Sequence, residues 1–97
     1  MMKVKARLKN NICFVKLLIK HDMVSFEQAA RKGVKANFIT SIVAKVGGKI
    51  VYEQLSSQFL AKNPIFKFKF FAKEGEAVEI SWVDLLGNSD TAFVRMR

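Results

Sequence analysis

A single cysteine, Cys13, stands among 97 residues. It excludes an internal disulfide and a cysteine-based zinc site, so the fold must rest on an apolar core. There is also a single histidine, His21, and only 8 carboxylates against 17 lysines and arginines. The carboxylates are scattered along the chain, and no nucleophile, acid or base has a positioned partner, so no catalytic constellation is visible. Apolar runs last only a few residues, far short of the roughly 20 that a bilayer-spanning helix needs. The opening Met1-Met2-Lys3-Val4-Lys5 enters charged alternation directly, without the apolar segment of a signal peptide; taken alone, that reads as cytoplasmic. A glycine-rich phosphate cradle is missing too, because Gly47-Gly48 sits in a hairpin context and not ahead of a helix. The length suits one domain, residues 1–97, built around one two-layer core, and no internal duplication is apparent.

What the chain does contain is alternation. Phe66, Phe68 and Phe70 share one parity and Lys67 and Lys69 the other, which is the period-2 pattern of a strand with one buried face. Val78, Ile80 and Trp82 repeat it, and together with Phe93 these aromatics are expected in the core. Between Trp82 and Phe93, Gly87 and Asn88 can supply the positive φ of a tight reversal. Earlier strands are expected around Val4, Ala6 and Leu8, ending at Asn10-Asn11, then over 12–20, with Cys13 on the inward parity of Val15, Leu17 and Ile19. A third covers 38–46, with Phe38, Ile42, Ala44 and Val46 on one side, and Gly47-Gly48 turns it into a fourth over 49–54. About seven short strands at this spacing predict an all-β, antiparallel, immunoglobulin-like sandwich. The exception is 21–36, where residues 26–32 look like one or two helical turns, capped by Ser25 and ended by Gly33. That connection is either a crossover between sheets or a functional loop.

The net charge of +9 invites a nucleic-acid reading, since cations that neutralise phosphates drive non-specific binding. The basic residues alternate with apolar ones along the strands, however. They therefore occupy solvent faces and edges, where lysine also guards against strand pairing between chains. An acidic protein partner fits the charge equally well. His21 and Met23 form a His-x-Met pair whose donors suit copper, and with Cys13 they define a redox or metal-protein alternative. Two ligands do not make a site, and a strand-end histidine beside a packing methionine explains them as well. Phe71 falls on the parity opposite Phe70, and Leu85 and Leu86 occupy a turn where polar residues are usual. They are either a protein-contact surface or packing on the domain's own body.

Several segments stand in a particular order along the chain: Lys3-Val4-Lys5-Ala6-Arg7, Leu18-Ile19-Lys20-His21-x-Met23 and Asn37-Phe38-Ile39, and, most densely, Lys62-Asn63-Pro64-x-Phe66-Lys67-Phe68-Lys69-Phe70 and Ser81-Trp82-Val83-Asp84-x-x-Gly87-x-Ser89-Asp90. Taken together they resemble the SoxZ family, the small subunits of the SoxYZ carrier of bacterial thiosulfate oxidation. The resemblance spans nearly the whole chain. It departs from the family pattern at Asp22, where proline is usual, in a shorter following loop without a Lys-Thr-Gly run, and at Leu85 and Leu86, which replace polar turn residues. It implies an immunoglobulin-like sandwich with no active site of its own; no cofactor or metal is expected from the residues. It also implies a heterodimer with a SoxY-like subunit whose C-terminal cysteine, set between glycines, carries sulfur intermediates, and transient contacts with other Sox proteins. Cys13 receives no such role, lying within a strand without flexible glycine flanks. The resemblance further moves the expected location to the periplasm, by export with a signal-bearing partner. Lys62, Asn63, Phe71, Leu85 and Leu86 are the candidate partner-interface residues. Unpaired sheet edges would also permit a homo-oligomer when the chain is isolated, and the basic nucleic-acid-binding sandwich stands as the alternative function.

Overall fold

The computed structural model describes residues 2–58 and 60–96. The elements run β1 (Met2–Lys9), β2 (Ile12–Ile19), α1 (Phe26–Lys32), β3 (Ile39–Val46), β4 (Lys49–Leu55), β5 (Ile65–Phe71), β6 (Ala77–Asp84) and β7 (Ser89–Arg95). One sheet has the order β1-β2-β5 and the other β4-β3-β6-β7, and every ladder is antiparallel. Packed face to face they make the expected immunoglobulin-like sandwich, 48 Å along its longest axis. Its sides close where β1 meets β7 and β4 meets β5. At the second seam the Tyr52 and Phe68 rings stack, 4.2 Å apart and 6° from parallel.

Local chemistry sets the turns. Asn10 and Asn11 take φ of 52° and 62°, and Gly47 and Gly48 take 58° and 81°. Two consecutive left-handed residues are what a primed two-residue hairpin needs, and asparagine and glycine tolerate that backbone best. In the β6–β7 reversal only Gly87 has positive φ; Asn88 does not, and its side chain is used elsewhere. Helix α1 has a complete capping box, with the Ser25 hydroxyl accepting from the Gln28 N–H and the Gln28 side chain accepting from the Ser25 N–H. Gly33 closes it in a left-handed conformation. Phe26 holds it edge-on against Phe38 at 5.6 Å. Because the chain leaves β2 in one sheet and enters β3 in the other, this segment is a crossover, pinned at its base by paired backbone bonds between Val24 and Asn37.

The inward rows pack as expected at Cys13, Val15, Leu17 and Ile19, at Phe66, Phe68 and Phe70, and at Val78, Ile80 and Trp82. In β3 a bulge at Thr40 breaks strict alternation, so Ile39 joins Ile42 and Ala44 on the inner face, and Phe38, just ahead of the strand, is buried as well. Phe93 corrects the sequence expectation: it is 72% exposed. The ladder sets Ala92 opposite Ile80 and Val94 opposite Val78, so these smaller residues share the inner face and Phe93 must point out. Replacing Ile80, which is fully buried, by alanine should therefore cost about 3 kcal/mol in urea unfolding. Phe93→Ser should shift stability by only about 0.5 kcal/mol. A comparable loss in both variants would contradict the assigned face of β7.

Candidate functional site

Strand β6 alternates Val78, Ile80 and Trp82 inward, and the next residue of that parity is Asp84. The sequence thus aims a carboxylate into the sandwich, where Asp84 is only 4% exposed and is the one charged residue buried among the described residues. Such a group persists only if hydrogen-bonded, and three segments converge on it. His21, just beyond β2 in the other sheet, places Nε2 3.0 Å from Oδ2. Asn37, just before β3, donates to the same oxygen from Nδ2 at 2.9 Å. Asn88, in the β6–β7 turn, donates from its backbone N–H to Oδ1 at 2.8 Å and from Nδ2 to Oδ2 at 3.1 Å. Burial alone would raise the Asp84 pKa, but the hydrogen bonds from His21, Asn37 and Asn88 together outweigh it and hold the carboxyl below its ordinary value.

The histidine is equally committed. Its Nδ1 accepts the Met23 N–H at 3.0 Å, so that nitrogen carries no proton and Nε2 is the donor to Asp84. A histidine–aspartate pair serves as a general base only when the second ring nitrogen faces a substrate; here it faces the chain's own backbone. The ring also stands edge-on to Trp82, at 5.6 Å and 89°. Met23, with φ of 52°, turns back so that its sulfur accepts the Ile39 N–H at 3.4 Å. The sequence alternative that joined Cys13, His21 and Met23 is therefore not assembled. Cys13 is buried near the far end of β2, about 20 Å along the strand from Ile19, and the described residues contain no cluster of three histidine, cysteine or acidic side chains able to hold a metal.

Around this node the chain gathers four of the five candidate interface residues. Asn63 is tied to His21 by two bonds, His21 N–H to its Oδ1 at 3.0 Å and its own N–H to the His21 carbonyl at 2.8 Å. Lys62 lies beside it, 3.8 Å from Asp22 in a solvent-exposed pair. The Leu85 N–H donates to the Phe38 carbonyl and the Leu86 N–H to Asn37 Oδ1, which leaves side chains 43% and 52% exposed. An open cleft of about 770 Å³ lies here, bordered by Lys20, Lys35, Lys62, Asn63 and the node itself. Phe71, 81% exposed, is not among them. It pairs with Ile12 at the opposite end of the sandwich. Sequence reasoning missed Asp84, Asn37 and Asn88 as a unit, although a carboxylate on the inward parity of an otherwise apolar strand was a readable signal.

The node behaves as a structural joint, and its loss should show in stability. Asp84→Ala strands the His21, Asn37 and Asn88 donors and should cost about 3 kcal/mol, with Asp84→Asn costing less. Because the folded carboxyl titrates below the unfolded one, its contribution is present in full above pH about 4 and is lost as pH falls through the lowered folded value. Urea midpoints measured down that range should fall with pH in the native sequence and lose this part of the slope in Asp84→Asn. Parallel slopes would show that Asp84 is not the titrating group.

No curated protein matches the chain. The family model described as "Sulphur oxidation protein SoxZ" matches residues 1–95, which takes in both sheets, the crossover and every residue of the node. The chain therefore belongs to the SoxZ family of sulfur-oxidation proteins.

Proposed function

We propose that this chain is the non-catalytic subunit of a heterodimeric sulfur carrier. It binds and presents a SoxY-like subunit whose C-terminal cysteine bears the covalent sulfur intermediates. The family match over residues 1–95 is the observation that carries this reading. The chemistry of the chain supports it. Its only thiol is buried in the core, where burial pushes the Cys13 pKa up and keeps the thiolate scarce. Its only histidine has both ring nitrogens engaged. On this reading the subunit contact lies at the node end, where Asn63, Leu85 and Leu86 are held in a fixed relation by hydrogen bonds to His21, Phe38 and Asn37 and Lys62 lies beside Asn63. Other proteins of the sulfur-oxidising system make transient contacts with the assembled carrier, and the isolated chain can self-associate through surfaces the partner would cover. The complex works in the periplasm, reached by export with the signal-bearing partner.

Co-expression with the SoxY-like subunit, size-exclusion chromatography and intact mass test this directly. A stable heterodimer is expected, with sulfur adducts on the partner's terminal cysteine and none on Cys13. Two non-interacting species, or adducts on Cys13, would overturn it. Osmotic-shock fractionation of the host should find the chain in the periplasm only while the partner's export signal is intact.

A further inference from the structure

The outer face of the three-stranded sheet is cationic to a degree the fold does not need. From β1 it presents Lys3, Lys5, Arg7 and Lys9, all exposed. Lys16 from β2 and Lys67 and Lys69 from β5 complete the set, and none of the three strands carries an aspartate or glutamate. Strand register sorts these side chains into rows. Lys5, Lys16 and Lys67 stand directly opposite one another, at spacings of about 5 Å between Cβ atoms. The next row is Arg7, Phe14 and Lys69, with the Arg7 guanidinium 6.0 Å from the Phe14 ring centroid. A shallow depression of about 580 Å³ lies over these two rows. Apolar side chains flank them: Leu18 and Ile65 beside Lys3, and Ile12 and Phe71 beside Lys9.

Like charges placed directly opposite destabilise a sheet, and none of these cations takes part in an ion pair among the described residues. Guarding an edge explains lysines on β1 and β5. It does not explain Lys16, because β2 is the central strand. The other sheet shows what balance looks like: Lys45 sits opposite Glu79 on its outer face, and its strands carry charges of both signs.

We propose that this face docks an acidic protein, whose carboxylates meet the Lys5–Lys16–Lys67 row and whose aliphatic side chains pack on Phe14, Leu18 and Ile65. The apolar residues favour protein over nucleic acid, since branched aliphatics offer nothing to a phosphate backbone but match the apolar core of a protein interface. So many unpaired charges promote rapid, salt-sensitive encounter. The docked protein is accordingly a visitor, bound away from the subunit contact at the node end, and Phe71 belongs to this face. The carrier reading enters only in choosing which visitors to try.

The test uses the full chain alone, the purified enzymes of the host's sulfur-oxidising system as probes, and a short DNA duplex as competitor. At least one enzyme should bind, losing about tenfold in affinity between about 50 and 200 mM NaCl. K5E/K16E/K67E should weaken it by a further tenfold or more, whereas R31E/K32E/K49E, with the same charge change on exposed sites of α1 and β4 off this face, should stay within about twofold. K16E alone should weaken binding and yet raise the chain's Tm by about 1–5 °C, because it turns two repulsive cross-strand pairs into attractive ones; a merely structural lysine would not do both. The proposal fails if no enzyme binds, if the two triple variants behave alike, or if DNA outcompetes every enzyme at the same three lysines. It also fails if K5E/K16E/K67E abolishes heterodimer formation, which would make the face part of the permanent contact. Absence of a heterodimer with the native sequence would sink the carrier reading and leave these binding data standing.

Discussion

The buried carboxylate of Asp84 is the constraint on which this end of the molecule depends. Taking such a charge out of water carries a penalty of several kcal/mol, and the chain offsets it only by bringing His21, Asn37 and Asn88 to that one group. His21 belongs to the end of one sheet and Asp84 to the other, so their contact latches the sandwich across its layers. Asn63 joins through His21 and Leu86 through Asn37, so loops far apart in sequence are fixed by one shared acceptor. An apolar core alone would set the sheets face to face, but it would not decide how four surface loops sit relative to one another. The left-handed backbone of Met23 belongs to the same arrangement, because that turn aims its N–H at His21 Nδ1 and its sulfur at the Ile39 N–H.

This division explains which features were readable from residues alone. Period-2 alternation located β5 and β6, and the pairs Asn10-Asn11 and Gly47-Gly48 marked the β1–β2 and β3–β4 hairpins, because these signals are local and follow from backbone sterics. Ser25 and Gly33 delimited α1 for the same reason. Alternation carries no sign, however. For β7 it could not say whether Phe93 or its neighbours faced inward, and the decision lay with Val78 and Ile80 on the adjacent strand. The Thr40 bulge was hidden for a related reason: Ile39 turns inward with Ile42 only because Asp84 and Val83 fix where β3 pairs with β6. The polar node was further out of reach, since His21 and Asp84 are 63 positions apart and each looks unremarkable in its own segment.

The charge surplus shows the same limit from another side. Lysines alternating along one strand imply a wet face and nothing more. Only the order β1-β2-β5 reveals that three such strands lie side by side with their cations in register. The net charge of +9 is thus unevenly spread, with one sheet unbalanced and the other close to neutral across its outer rows. Solubility would be served by any distribution of that charge, whereas a row of three opposed lysines is a specific arrangement that weakens the isolated chain.

On the proposed reading, the burial of Cys13 and the exposure of the lysines serve the same end. A carrier works only if its sulfur stays on one designated cysteine, because any accessible thiolate nearby could take the cargo by exchange. Cys13 lies in the core between Leu8 and Phe70 in the ladder, and burial disfavours the thiolate that such an exchange requires, so the subunit cannot compete for what its partner holds. The chain's own contribution must then be geometric and electrostatic: one end held rigid around Asp84 for a lasting contact, and one face charged for brief ones. A lasting contact gains from fixed loops, since little entropy remains to be lost on binding. A brief contact gains from long-range attraction that speeds arrival without slowing departure. The two surfaces differ in polarity because these two tasks place opposite demands on the residues that form them.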